Sequence, residues 1–138
     1  MIEARNFLNS VRDIERTIRN LEKELEILRR DIDGLGAMDY SRFRVSGGVP
    51  SDIADTVSKL EKLERAIVNE KCHLATVRAE VFAIINKLER PEHKEVLIGR
   101  YIENKAWQDI LPGFARPSKM RLHREALEAF EVLMYCCD

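Results

Sequence analysis

Glycine and proline are scarce in this chain, six and four of 138 residues. That is too little turn chemistry for an all-β sandwich or barrel, whose many short strands each need a reversal. Cysteine is equally sparse: Cys72, Cys136 and Cys137 include a neighbouring pair and no CxxC spacing, so neither a disulfide framework nor a zinc motif is indicated. They read as reduced thiols of a cytoplasmic protein. No apolar run approaches the ~18 residues of a membrane span. The start, Met1-Ile2-Glu3-Ala4-Arg5, is charged and lacks the apolar core of a secretion signal. An excess of charge is missing too. Lys and Arg number 23 against 24 Asp and Glu, so any nucleic-acid binding has to come from a local patch rather than a global basic field.

Catalytic patterns are also lacking. His73, His93 and His123 are scattered, and there is no HExxH, GxSxG or phosphate-cradling glycine loop. Cys72 and His73 are neighbours, so on a helix they face different ways and make no ligand pair. No enzyme activity, cofactor or metal is expected.

What is abundant is helix-forming and periodic. Phe7, Val11, Ile14, Ile18, Leu21, Leu25, Leu28 and Ile32 alternate spacings of four and three, the heptad seam of a coiled-coil-like helix. Charges fill the intervening positions, with i,i+4 pairs such as Glu15–Arg19 and Glu26–Arg30, each worth ~0.2–0.5 kcal/mol. Leu60, Leu63, Ile67, Leu74, Val77, Val81, Ile84 and Leu88 repeat the seam, with Glu70 in one apolar slot. A polar residue there either fixes register at a cost or lies in water at the seam's edge. Leu8, Ile27, Val68, Phe82 and Ile85 fall off the strict seam and widen the apolar faces. Extra apolar surface requires a cover, which predicts packing on the C-terminal residues, on a second copy, or on both.

The boundaries are legible. Gly34 and Gly36 end the first helix after Asp33, and Pro50-Ser51-Asp52 opens the second with Ser51 as N-cap. The loop over 35–50 carries the basic-aromatic stretch Tyr40-Ser41-Arg42-Phe43-Arg44, read as a surface loop with Arg42 and Arg44 as an alternative nucleic-acid contact. Pro91 holds Arg90 out of α geometry and starts a new helix. The sequence therefore predicts an antiparallel helical hairpin over 1–90 and a three-helix module over 91–138. In that module one helix ends at Ile102, a short one covers Ala106–Leu111, Pro112-Gly113 interrupts, and a last helix runs from Ser118 to about Tyr135. Trp107 is the core anchor between the short helices.

Val96-Leu97-Ile98-Gly99-Arg100-Tyr101-Ile102-Glu103-Asn104-Lys105-Ala106-Trp107-Gln108-Asp109-Ile110 resembles the start of region 4 of bacterial sigma factors, and Arg121-Leu122-His123-Arg124-Glu125-Ala126-Leu127-Glu128 is similar to the end of that family's recognition helix. The closer resemblance is to small phage proteins that join a helical hairpin to such a module, the late-transcription regulators of the ArpU and RinA type. It covers the organisation of the whole chain, with motif-level similarity over residues 95–130. It implies an all-α, helix-turn-helix regulator that reads duplex DNA in the cytoplasm of a bacterial host, with the hairpin used for oligomerisation or polymerase contact. The chain departs from the pattern where Pro112-Gly113 replaces a further helical turn.

Residues 114–124 hold Arg116, Lys119, Arg121 and Arg124 and no acid. In a helix-turn-helix the start of the second helix enters the major groove while flanking cations contact phosphates. Arg116, Ser118 and Lys119 occupy that start, and Arg121, His123 and Arg124 follow. Ser118 and the free N–H groups beside it suit a phosphate. The competing reading of this basic face is a solvated surface balanced by Glu125, Glu128 and Glu131. Two other functions stay open: a protein-interaction module or inhibitor of a host protein on the same scaffold, and a purely structural coiled coil.

Overall fold

A computed structural model describes residues 1–36 and 49–136. Among them there is no strand, and the protein is all-α. The described residues form four α-helices: α1 (Ile2–Gly36), α2 (Val49–Ile85), α3 (Pro91–Leu97) and α4 (Arg116–Tyr135). A π-helical turn over Ile98–Ile102 continues α3, and a single 3-10 turn covers Trp107–Asp109. Arg42, Arg44 and Cys137 lie outside the described residues.

Local chemistry accounts for the helix limits. α1 continues through Gly34 to Gly36 instead of stopping after Asp33. α2 begins at Val49, so Pro50 sits in the first turn, where its missing N–H is no loss, and Ser51 lies inside the helix instead of capping it. Arg90 is extended (φ −92°, ψ 126°) and Pro91 starts α3, as the pre-proline restriction requires.

The chain divides into two compact units. The middle unit, Arg16–Cys72, takes the later turns of α1 and the earlier turns of α2. Ile18, Leu63 and Ile67 are buried there, whereas Leu21, Leu25, Leu28, Ile32 and Leu60 are only half-buried. The off-seam Ile27 and Val68 remain 56% and 58% exposed. Arg29 Nη2 meets Glu64 Oε1 at 2.8 Å, a water-exposed pair of the kind worth under about 1 kcal/mol, and Arg30 pairs with Glu26 one turn away. Glu70 is half-buried.

The terminal unit, Met1–Glu15 with His73–Asp138, holds most of the core. Both long helices are thus shared between the two units. Here the off-seam Leu8 and Ile85 are fully buried, together with Val11, Val81, Val96, Leu97, Ala126, Leu127 and Phe130. Phe7 and Phe130 place their ring centroids 6.1 Å apart, tying the first turns of α1 to α4. Glu15 is engaged not by Arg19 but by Arg78 Nη2 at 2.8 Å and Asn104 Nδ2 at 2.9 Å. The carboxylate is mostly buried, so a tertiary guanidinium in lower dielectric outcompetes a surface i,i+4 partner.

The module after Pro91 departs from the expected three helices in its centre. The π-turn closes with Glu103 N–H donating to the Ile98 carbonyl at 2.9 Å, and Asn104 reverses the chain at φ +56°, a conformation asparagine tolerates. Gly99 then faces the next segment: a Cβ there would sit 3.1 Å from Ile110 Cγ1, so glycine is what allows the close approach. The expected Ala106–Leu111 helix is reduced to the Trp107–Asp109 turn because Ile110 is extended (φ −92°, ψ 127°) and Leu111 takes φ +47°. Leu111, Pro112, Gly113 and Phe114 form a reverse turn, with Phe114 N–H on the Leu111 carbonyl at 3.1 Å and Gly113 at φ +99°. Proline second and a positive-φ glycine third match a type II turn. The strained Leu111 is held by burial in a cluster with Val96, Ile110 and Leu122, against which Trp107 packs. α4 then starts at Arg116, and Ser118 falls in its first turn.

Candidate nucleic-acid interface

The six candidate residues all lie on the first half of α4, but the helix sends them to different places. At 100° per residue, Arg116, Arg124 and Arg121 fall within about 140° of the circumference. Lys119, Leu122, Ala126 and Phe130 occupy the opposite side and are buried. Arg116, Arg121 and Arg124 are exposed and Ser118 is half-buried. Arg121 has only a loose contact, Nε to Glu125 Oε1 at 3.8 Å. Among the described residues Arg116 and Arg124 pair with no acid. Glu125 is drawn instead toward the start of α3, where His93 Nε2 approaches it at 3.3 Å and Arg90 Nη1 at 3.5 Å.

Lys119 points inward. It is 7% exposed, and Nζ donates to the Trp107 carbonyl at 2.8 Å. The ammonium thereby holds the 3-10 turn against α4 and is not presented to a partner. Exchanging Lys119→Met keeps the stem's packing and deletes this charge-assisted bond. We expect a loss of about 1–2 kcal/mol in urea unfolding, with the salt dependence of any DNA affinity unchanged. A shallower salt dependence at full stability would return Lys119 to the interface.

His123 also turns inward. Its Nε2 lies 2.8 Å from Tyr101 Oη, the two rings stack at 5.7 Å, and Trp107 meets His123 edge-on at 4.9 Å. Burial first, and then the guanidiniums of Arg5, Arg100 and Arg12, lower its pKa to about 4, so the ring is neutral at physiological pH. Burial likewise raises the Tyr101 pKa, against the opposing pull of Arg5, Arg12 and Arg100. The hydrogen bond between Tyr101 Oη and His123 Nε2 takes its direction from the imidazole tautomer.

Sequence reading missed this cationic ring around Tyr101. Its members are 95 residues apart at the extremes, Arg5 to Arg100, and only the heptad spacing of Arg5 and Arg12, which puts them on one helical face, hinted at it. Among the described residues no group of His, Cys, Asp and Glu is placed to hold a metal ion, Cys72 and Cys136 are exposed and outside any disulfide, and no helix is long and apolar enough to cross a membrane. Compared with protein-family models, curated proteins and solved structures, the chain matches none.

Proposed function

We propose that the protein is a phage or prophage transcription regulator that binds duplex DNA through α4. The two long helices would form an antiparallel hairpin that serves oligomerisation or contact with RNA polymerase. The observation that carries this reading is the charge order along α4. Its first turn has no acid and its last turn no base, with Arg116, Arg121 and Arg124 exposed ahead of Glu125, Glu128 and Glu131. A helix macrodipole favours the reverse order, so these arginines do not serve helix stability, and an anionic partner explains them. The half-buried seam of the middle unit, with Ile27 and Val68 exposed, supports a second copy as its cover.

The test is a fluorescence-anisotropy titration of duplex DNA at several salt concentrations. Changing Arg116, Arg121 and Arg124 together to Ala is expected to weaken binding at least tenfold, the equivalent of about 1.4 kcal/mol. It should also make the log–log salt dependence shallower by about 2–3, one phosphate contact per arginine. Wild-type protein without salt-dependent affinity for duplex DNA would end this proposal.

A second reading, an interaction module or inhibitor of a host protein, is favoured by the reduction of the middle helix to one turn and by the inward course of Lys119 and His123. Recovery of a defined host protein after nuclease treatment, with no affinity for duplex DNA, would select it.

A further inference from the structure

The outer side of α2 in the middle unit carries a stripe that the core leaves uncovered. Val57, Glu61, Glu64, Arg65 and Val68 fall within about 100° of the helical circumference, on the side away from the buried Leu63 and Ile67. Val57 and Val68 are 40% and 58% exposed, and an open groove is lined by Glu61, Glu64, Arg65, Val68 and Asn69. Glu64 is held by Arg29 of α1. Glu61 and Arg65 stand at the i,i+4 spacing at which a helix joins opposite charges. Among the described residues, however, neither forms an ion pair.

The order of these residues decides what fits over them. A second copy of α2 laid parallel and in register sets glutamate against glutamate and arginine against arginine. Turned end for end about the level of Leu63, the same copy brings Glu61 level with the partner's Arg65, and Arg65 level with the partner's Glu61. Val57 then comes within one residue's rise, ~1.5 Å, of the level of the partner's Val68. Every contact occurs twice, as an isologous two-fold interface requires. The ion pairs set orientation and register, and the valines on either side supply apolar burial. Val57 and Val68 are ~17 Å apart along the helix, so the contact is short and belongs with weak, concentration-dependent interfaces. We infer that the protein self-associates through this face of α2, as an antiparallel two-fold dimer centred between Glu61 and Arg65. This rests on the oligomerisation part of the proposed function and names its surface, its orientation and its partner, a second copy of this chain.

Sedimentation equilibrium of the full chain, from about 1 to about 200 µM, is expected to show the average mass rising from one chain toward two. Glu61→Arg and Arg65→Glu each set like charges across the axis and should weaken the dimer at least about tenfold. Mixed in equal amounts, the two variants should recover the dimer, because every arginine of one chain then meets a glutamate of the other. Mixing leaves the i,i+4 neighbours within each chain unchanged, so recovery reports pairing between chains and not helix stability. Val68→Asp, at an exposed position, should also dissociate the dimer, while circular dichroism shows that each variant keeps its helices. A wild type that stays monomeric, a dimer indifferent to Glu61→Arg or Arg65→Glu, or a mixture that stays monomeric would overturn the interface. The α4 reading fails separately, through absent duplex affinity or affinity indifferent to the Arg116, Arg121 and Arg124 triple variant. A monomer that binds duplex DNA would overturn this interface alone.

Discussion

Replacing Phe130 with alanine is expected to remove about 3–5 kcal/mol from the stability of the terminal unit. Phe130 is the largest of its fully buried side chains, and its ring meets Phe7 of α1 at 6.1 Å between centroids. Truncation therefore loses the burial of an aromatic ring, the ring pair, and the contacts of neighbours that cannot collapse into the void. Urea unfolding followed by Trp107 emission reads this unit selectively, since the tryptophan lies in it. Val132→Ala, on the exposed side of α4, serves as control and should change the stability by no more than about 0.5 kcal/mol. If Phe130→Ala cost less than about 1 kcal/mol, α4 would not be packed on α1 as described.

Acid should weaken the protein through His123. Its pKa in the folded state, about 4, lies below the ordinary value near 6.5. Between these values the unfolded chain binds a proton that the folded one refuses, so stability rises with pH across the window. The full contribution is present above about pH 6.5 and is lost as pH falls toward about 4. Allowing for water around the neighbouring guanidiniums, the loss from near pH 7 to about pH 5 is about 1–2 kcal/mol. Carboxylates titrate over part of the same range, so the informative quantity is the difference between wild type and His123→Gln. The variant is less stable near neutrality, where the bond to Tyr101 is worth about 1 kcal/mol, but its stability should fall less steeply in acid. Parallel pH profiles for the two proteins would mean that His123 is not buried as a neutral ring.

Much of the architecture was legible before any coordinates. Spacings of three and four along Phe7 to Ile32 and along Leu60 to Leu88 specify long helices, because side-chain facing follows from backbone geometry alone. Pro91 located a boundary for the same local reason. The centre of the C-terminal module was less legible. A run such as Trp107-Gln108-Asp109-Ile110-Leu111 is compatible with a short helix, and what cut it to one turn was the close packing of Ile110 on Gly99 and of Leu111 into the small core. The candidate interface was read as a charge count, and a count does not say where a long side chain ends. Lys119 and Arg121 are two residues apart; one donates to a buried carbonyl and the other stands in water.

The scarcity of glycine and proline spoke against a β-fold from composition alone, and the described residues are all-α. Heptad periodicity then supplied the long helices. These are properties of neighbouring residues, so a one-dimensional pattern suffices to state them. Burial and pairing are different in kind, since they depend on which remote segment supplies the cover or the counter-charge. Leu8 and Ile85 share their off-seam status with Ile27 and Val68, yet the first two are fully buried and the second two exposed. Arg5, Arg12 and Arg100 become neighbours only once the first turns of α1 lie beside the π-turn and α4. Tertiary packing alone made that choice, because the free energy of burying a side chain or gathering charges belongs to the assembled surfaces and not to the residue.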